Sequence, residues 1–322
     1  MPSAASDRLA PLVAAYAPLA WSTTYVVAAE LLPPDRPLFG AVVRVLPAAA
    51  ILLLWKRRLP QGEWWWKSAV LGLLNFGVFF SLLYIGAYRL PGGLAATLQS
   101  VGPLVVMAFA FLLLAERPRL ATLLGGVVGV VGVGVMLWGG GGEIDPIGVA
   151  AAFGSVLSSS LGYVLVRRWK PPVDTFTFTG WQLLMGGLML APLAWLAEGP
   201  APEMDVPAVL GYAYLAVFGT VLAYAAWFRG LRLAPAGIIA VVGLLNPVSA
   251  TIIGIIVRGE AFGSTQALGM ALVLGGVLAS QLGGRRSAPS AEERSAEAPS
   301  EAGPDEGPGR SGAGEPAPAT PR

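Results

Sequence analysis

The feature that most constrains this chain is how long it runs between charges. Stretches of about 20 residues pass repeatedly without an Asp, Glu, Lys or Arg, as in 120–139, 206–228 and 233–257. A helix of about 20 apolar residues spans a bilayer core about 30 Å thick. Cutting at charges and at Pro/Gly clusters gives ten such segments: 11–32, 37–55, 66–88, 92–114, 120–139, 146–167, 174–196, 206–228, 235–257 and 263–283. A domain bathed in water carries about 25% charged residues. Here the 322 residues are 12% charged and 55% hydrophobic, with mean hydropathy +0.66. The expectation is an all-α polytopic membrane protein with ten transmembrane helices and the lipid bilayer as its solvent. Val27-Ala28-Ala29 before Glu30 resembles a cleavage site, but the run 11–32 is long enough to span and is read as a retained first helix.

The placement of Lys and Arg orients these segments. With the N-terminus inside, the inner loops hold Lys56, Arg57, Arg58, Lys67, Arg117, Arg119, Arg167, Arg168, Lys170, Arg229 and Arg232, besides Arg8 and the tail arginines. The outer loops hold only Arg36, Arg89 and Arg258, and two of them, 139–146 and 197–205, contain acids without a base. Residues 1–10 and the tail are therefore expected in the cytoplasm, with the chain in the inner, cytoplasmic membrane. Residues 284–322, rich in Pro, Ser, Ala, Gly and Glu, bury too little apolar surface to fold alone and read as a disordered tail.

Pro103 and Glu116 stand 144 residues before Pro247 and Glu260. The same offset aligns Gly86 with Gly230, Pro91 with Pro235, Gly125 with Gly269 and Gly132 with Gly276. Earlier in each half the offset is 138, aligning Ser22 with Ser160, Tyr25 with Tyr163 and Arg44 with Gln182. Two repeats follow, 11–139 and 146–283, of five helices each. An odd number of helices per repeat inserts the second upside down, the construction by which many secondary transporters alternate access.

The segments WSTTYVVAAELLPPDRP (21–37), LLYIGAYRLPGGLAATLQSVGPLV (82–105) and YAAWFRGLRLAPAG (224–237), with the helix ends at Glu116 and Glu260, resemble the EamA group of the drug/metabolite transporter superfamily. The resemblance covers about residues 10–283. It implies a secondary carrier that exports amino acids, nucleosides, other metabolites or drugs, with helices 1, 3, 4, 6, 8 and 9 around a central cavity.

Ionisable groups inside a membrane are costly and are read first as functional. Arg44 is the one such group in mid-span; it is either a counter-charge for a substrate carboxylate or a structural donor to helix carbonyls. Its repeat partner Gln182 marks a position that wants a hydrogen bond. Uncharged polar and aromatic candidates for the cavity are Trp21, Thr24, Tyr25, Asn75, Phe79, Gln99, Ser159, Tyr163, Tyr224, Trp227 and Asn246. Each Asn or Gln can equally bond between helices. Pro103 and Pro247 are expected flex points. Glu116 is expected to pair with Arg117 or Arg119, and Glu260 with Arg258, as gate latches. Gly125 and Gly129, with Gly275 and Gly276, predict close helix contact, between the halves or between the protomers of a homodimer. Trp64, Trp65 and Trp66 read as an interfacial belt.

The chain has no His and no Cys, which removes disulfides, thiolate chemistry and imidazole ligands. No metal or cofactor is expected. A net charge of +2 gives no reason to expect nucleic acid as a partner. Acids and nucleophiles do not cluster at one depth, so an enzyme is not expected. The expected function is export of a small polar metabolite, an amino acid or a related compound. A drug efflux carrier of the same fold is the first alternative, and a non-transporting scaffold or receptor subunit a remote one. The Cys-free sequence makes topology directly testable. Single cysteines from Ser290→Cys should label only from the cytoplasmic side, and those from Gly141→Cys or Ala201→Cys only from outside; labelling of all three from one side would overturn the orientation.

Overall fold

In hydrocarbon each backbone N–H and C=O must find its partner inside the protein, and an apolar run does this by closing on itself as a helix. In the computed structural model, which describes residues 4–33, 36–89, 98–136, 145–258 and 263–285, all regular structure is helical. The helices are α1 (Ala4–Leu31), α2 (Pro37–Lys56), α3 (Trp64–Gly72, continued by Leu73–Gly77 and Val78–Arg89), α4 (Gly102–Leu114) and α5 (Leu120–Met136). The second half supplies α6 (Pro146–Trp169), α7 (Thr175–Glu198), α8 (Val206–Ala216, then Val217–Leu222 and Ala223–Leu233), α9 (Ala236–Val242 and Leu245–Arg258) and α10 (Ser264–Arg285). Six helices among the described residues are long and apolar enough to cross a membrane, and Leu98–Leu114, Leu120–Val135 and Ser264–Ser280 are shorter apolar helices.

Some ends differ from expectation. Helix α1 begins at Ala4 and carries Pro11 and Pro18 within it, so the expected N-terminal segment is helical from its fourth residue. Helix α8 runs past residue 228 to Leu233 because its arginines remain on the helix, Arg232 donating to Val173 O at 3.0 Å. Asp145, Asp174 and Asp205 accept backbone N–H groups at the starts of α6, α7 and α8. Asp145 also pairs with Arg89 at 2.8 Å. The bond from Arg89, followed by the helix N–H of Ile147, holds its carboxyl below the usual value of 3.8.

Under the repeat offsets α1 corresponds to α6, α2 to α7, and so on to α5 and α10. Packing obeys the same exchange. Helix α1 lies on α8 and α9, and α6 lies on α3 and α4; α2 packs on its own counterpart α7, and α5 on α10. The self-paired helices run antiparallel. Gly125 faces Gly276 while Gly132 faces Gly269, and Leu52 faces Gly180 while Val45 faces Gly187. The two glycine contacts of α5 and α10 are each other's images under the repeat.

Polarity is distributed as lipid requires. Leu54, Leu112, Leu196 and Ile256 are at least 72% exposed, whereas Arg44, Asn75, Thr177, Gln182 and Thr220 are buried. Trp64 departs from its expected place in an interfacial belt: it is buried against Phe178 and Trp181, while Trp65 and Trp66 are exposed.

The glycine contact lies between the halves of one chain. A Cβ on Gly125 would overlap the Gly276 carbonyl, one on Gly276 would stand 2.5 Å from the Gly125 oxygen, and one on Gly132 would stand 2.8 Å from the Gly269 oxygen. Gly275, expected in the same contact, meets nothing within 4 Å. Overpacking of this kind costs about 1–3 kcal/mol. Gly276→Ala should therefore lower the melting temperature in detergent by several degrees, and Gly275→Ala should leave it unchanged or slightly raised. Equal effects at the two positions would remove the seam from the account.

Candidate functional site

Helices α3 and α8 each lose their α-helical hydrogen-bond pattern for about one turn, becoming π-helical at Leu73–Gly77 and Val217–Leu222. Such turns are rare and concentrate at functional sites, because they leave carbonyls for other partners. The two turns occupy the same place in the two repeats.

Side chains of the other helices converge on them. At α8, Arg44 donates from Nη2 to Gly219 O at 2.9 Å and from Nε to Thr220 Oγ1 at 3.0 Å. Trp21 Nε1 donates to the same Gly219 oxygen at 3.1 Å, and Tyr16 reaches Phe218 O at 3.4 Å. At α3, Asn75 Nδ2 donates to Gln182 Oε1 at 2.8 Å, and Ser158 donates to Leu74 O at 2.8 Å. Arg44 and Gln182 are repeat partners, as are Gly219 and Asn75, and Phe218 and Leu74. The site is thus built twice, each time from one half's first two helices and the other half's third.

The two versions exchange bulk. Thr24 on α1 stands over Gly219. Its partner on α6 is Gly162, which stands against Asn75, so closely that a Cβ there would overlap Asn75 Oδ1. A large residue meets a small one on both sides, with the roles reversed.

Aromatic rings fill the space between. Trp21 lies 5.0 Å from Tyr224 and 5.5 Å from Trp227, Tyr163 lies 5.6 Å from Trp227, and Phe76 lies 4.7 Å from Tyr224. Phe79 lies 5.2 Å from Phe80, the rings tilted at 59°, and the Phe80 ring is 5.7 Å from the Arg44 guanidinium. That contact is a cation–π interaction. Arg44 is 5% exposed, and none of the ion pairs among the described residues includes it. A guanidinium at the centre of a membrane helix costs about 2.5–3.5 kcal/mol on insertion scales, a cost that its carbonyl, hydroxyl and ring contacts act to offset. Five predicted residues keep a buried atom without a hydrogen-bond partner: Thr24 Oγ1, Asn75 Oδ1, Gln182 Nε2, Trp227 Nε1 and Asn246 Oδ1.

The remaining candidates sit further off. Gln99 donates to Ser155 Oγ at 2.7 Å, bridging to α6. Ser159 spends its hydroxyl on carbonyls of its own helix, Ser155 and Val156. Pro103 is in the first turn of α4, directly after a turn at Val101, and α9 breaks at Gly243 and Leu244, before Pro247. The Tyr25 side chain and Glu260 lie outside the described residues.

Glu116 corrects an expectation. It pairs with Arg167 of α6, not with Arg117 or Arg119, because Arg167 also donates to Ala234 O at 2.6 Å and Leu231 O at 3.2 Å and so draws the ends of α4, α6 and α8 together. At the opposite end of α1 a cavity of about 550 Å³ is lined by Glu30, Glu203 and Asp205 among others. The repeat puts Ala29 and Glu30 where the other end has Arg167 and Arg168. Sequence reasoning missed Ser158, Phe76, Phe80, Gly219, Thr220 and Arg167. Gly219 was within reach, as the offset partner of Asn75.

Long apolar helices with polar side chains turned inward and apolar ones outward define a multi-pass membrane protein. The model of the EamA-like transporter family matches the chain twice, over residues 8–138 and 146–281. Protein PecM of Dickeya dadantii (strain 3937) is 38% identical over 266 residues, covering 82% of this chain and 89% of its own length. Uncharacterized transporter YetK of Bacillus subtilis (strain 168) is 29% identical over 286 residues, covering 84% of this chain and 86% of its own length. A solved crystal structure superposes with TM-score 0.75 over 85% of this chain and 98% of its own, a likeness of fold at 22% identity. The chain belongs to the EamA-like transporter family, whose members are transporters rather than enzymes.

The contact between Gly162 and Asn75 yields a coupled prediction. Gly162→Ala should destabilise the protein by about 1–3 kcal/mol through the clash. In an Asn75→Gly background, which copies the arrangement at Gly219, most of that loss should vanish, a coupling of about 0.5–3 kcal/mol. Thermal unfolding of the two single variants and the double variant in detergent measures it, and additive losses would refute the contact.

Proposed function

We propose that this chain is a secondary transporter whose ten helices all cross the cytoplasmic membrane, with both termini in the cytoplasm and the halves oppositely inserted. It exports a small polar metabolite, an amino acid or a related compound, by alternating access. The observation that carries the reading is the doubled site between the π turns. A two-fold related pair of polar contacts, walled by rings and holding several unpartnered polar atoms, is what a carrier with two equivalent gates needs at its midpoint. The substrate candidates are Trp21, Thr24, Arg44, Asn75, Gln182, Tyr224 and Trp227, together with Phe79, Tyr163 and Asn246 nearby. The Glu116–Arg167 pair fastens the cytoplasmic ends of α4, α6 and α8, so access from that side requires it to open. Pro103 and Pro247 stand beside the breaks where α4 and α9 would bend.

A second reading has one specific observation behind it. The cavity bearing Glu30, Glu203 and Asp205 favours a cationic solute at the outer mouth, as a drug efflux carrier would. Counterflow in proteoliposomes separates the two readings. Exchange of amino acids or related metabolites, insensitive to Glu30→Gln, is the expected result. Exchange confined to lipophilic cations and abolished by Glu30→Gln would shift the assignment to drug efflux. Failure to move any of a panel of amino acids, nucleosides and dyes would overturn the transporter reading of this chain.

A further inference from the structure

The two repeat-related contacts differ in one respect that their geometry does not require. Gln182 ties α7 to the π turn of α3 through a neutral amide bonded to Asn75 at 2.8 Å. Arg44 ties α2 to the π turn of α8 through bonds of 2.9 and 3.0 Å to a carbonyl and a hydroxyl, both neutral acceptors. A neutral amide suffices for the tie, so the charge at position 44 needs another explanation. No carboxylate among the described residues forms an ion pair with Arg44. On the same side of the site, Trp227 Nε1 is a buried donor without an acceptor, and Thr24 Oγ1, beside Gly219, is likewise unpartnered. Trp227 packs on Trp21, which shares the Gly219 oxygen with Arg44. On this face a cation, an unused N–H and an unused hydroxyl stand together, so an anionic acceptor would find three groups able to donate to it.

We propose that Arg44 recognises a carboxylate on the transported solute, and that binding exchanges its bonds to Gly219 and Thr220 for bonds to the cargo. This rests on the transport reading above and names the class of substrate: small metabolites bearing a carboxylate. The exchange is favourable because a carboxylate offers the planar guanidinium a bidentate contact with an opposite charge in place of two bonds to neutral acceptors. It also makes the tie between α2 and α8 conditional on cargo, whereas the Gln182 tie between α7 and α3 carries no charge for a carboxylate to draw away. Loading the site would thereby release α2 from the π turn of α8, which Trp21 and Tyr16 of α1 still hold, giving the solute a differential interaction with two conformations, which a ligand-driven change requires.

The test pairs solutes that differ only in this group, L-leucine with L-leucinamide and L-phenylalanine with L-phenylalaninamide, in proteoliposome counterflow with wild type, R44Q and R44K. The proposal expects R44Q, which copies Gln182, to lose carboxylate exchange by more than about tenfold while retaining carboxamide exchange. R44K should keep the preference for the carboxylate at a reduced rate. Folded R44Q moving carboxylates at the wild-type rate would overturn it. So would a wild type that moves carboxamides or cations and no carboxylate, which leaves transport standing; a wild type that moves no solute removes the transport reading and this inference together. Should R44Q fail to give a monodisperse protein, the wild-type melting temperature in detergent decides the matter. A larger rise with millimolar L-leucine or L-phenylalanine than with their carboxamides supports the proposal, and an equal or smaller rise overturns it.

Discussion

A backbone carbonyl in a low-dielectric interior must be given a donor, and this structure is arranged around the few carbonyls its helices do not satisfy themselves. The π turns in α3 and α8 present Leu74 O on one side and Phe218 O and Gly219 O on the other. The donors are side chains from helices of the opposite half: Ser158, Tyr16, Trp21 and Arg44. Each half is thus completed by the other, so the halves stay in register although lipid tails are no less apolar than the side chains between them. Van der Waals packing alone would let α1 slide on α8, whereas bonds to particular oxygens fix the depth at which they meet.

Duplication explains the layout, and its departures from symmetry explain what the layout can do. Thr24 over Gly219 and Asn75 over Gly162 are two solutions to one steric problem, each filling the same gap from a different wall. The result is a site whose two faces are related by the repeat and unequal in chemistry: one carries a guanidinium and a hydroxyl, the other a pair of amides. Rings of Trp21, Phe76, Tyr163, Tyr224 and Trp227 pack between the faces and make their surroundings apolar. Apolar surroundings strengthen any polar interaction made between them.

Much of this was legible in the sequence because a helix in lipid is read from length and charge alone. The antiparallel pairing of α5 with α10 was implicit in glycines at matched offsets, and the equivalence of Arg44 with Gln182 located the centre. What the sequence concealed was long-range or conformational. LLNFG at 73–77 and VFGTVL at 217–222 contain no Pro and read as continuous helix, because a π turn arises from tertiary bonding rather than from local propensity. Glu116 had two arginines within three residues, yet the partner it takes lies 51 residues away, where Arg167 satisfies two orphan carbonyls with the same side chain. Gly275 and Gly276 are alike as residues, and only the offset match of Gly276 with Gly132 tells them apart in sequence; a rotation of about 100° between successive helix residues puts Gly276 on the seam and Gly275 away from it.

The ends of the molecule break the symmetry more deeply than its centre. Position for position, Arg167 and Arg168 on α6 correspond to Ala29 and Glu30 on α1. At one end the arginines bind helix-terminal carbonyls and an acid, drawing three helices together. At the other, acids line an open cavity. The same substitutions satisfy two demands at once, since an excess of arginine on one side orients a polytopic chain during insertion and also supplies the side chains that can tie that side shut. In the orientation proposed above, the arginines that would set the direction of insertion are the same ones that bond the ends of α4, α6 and α8 to one another.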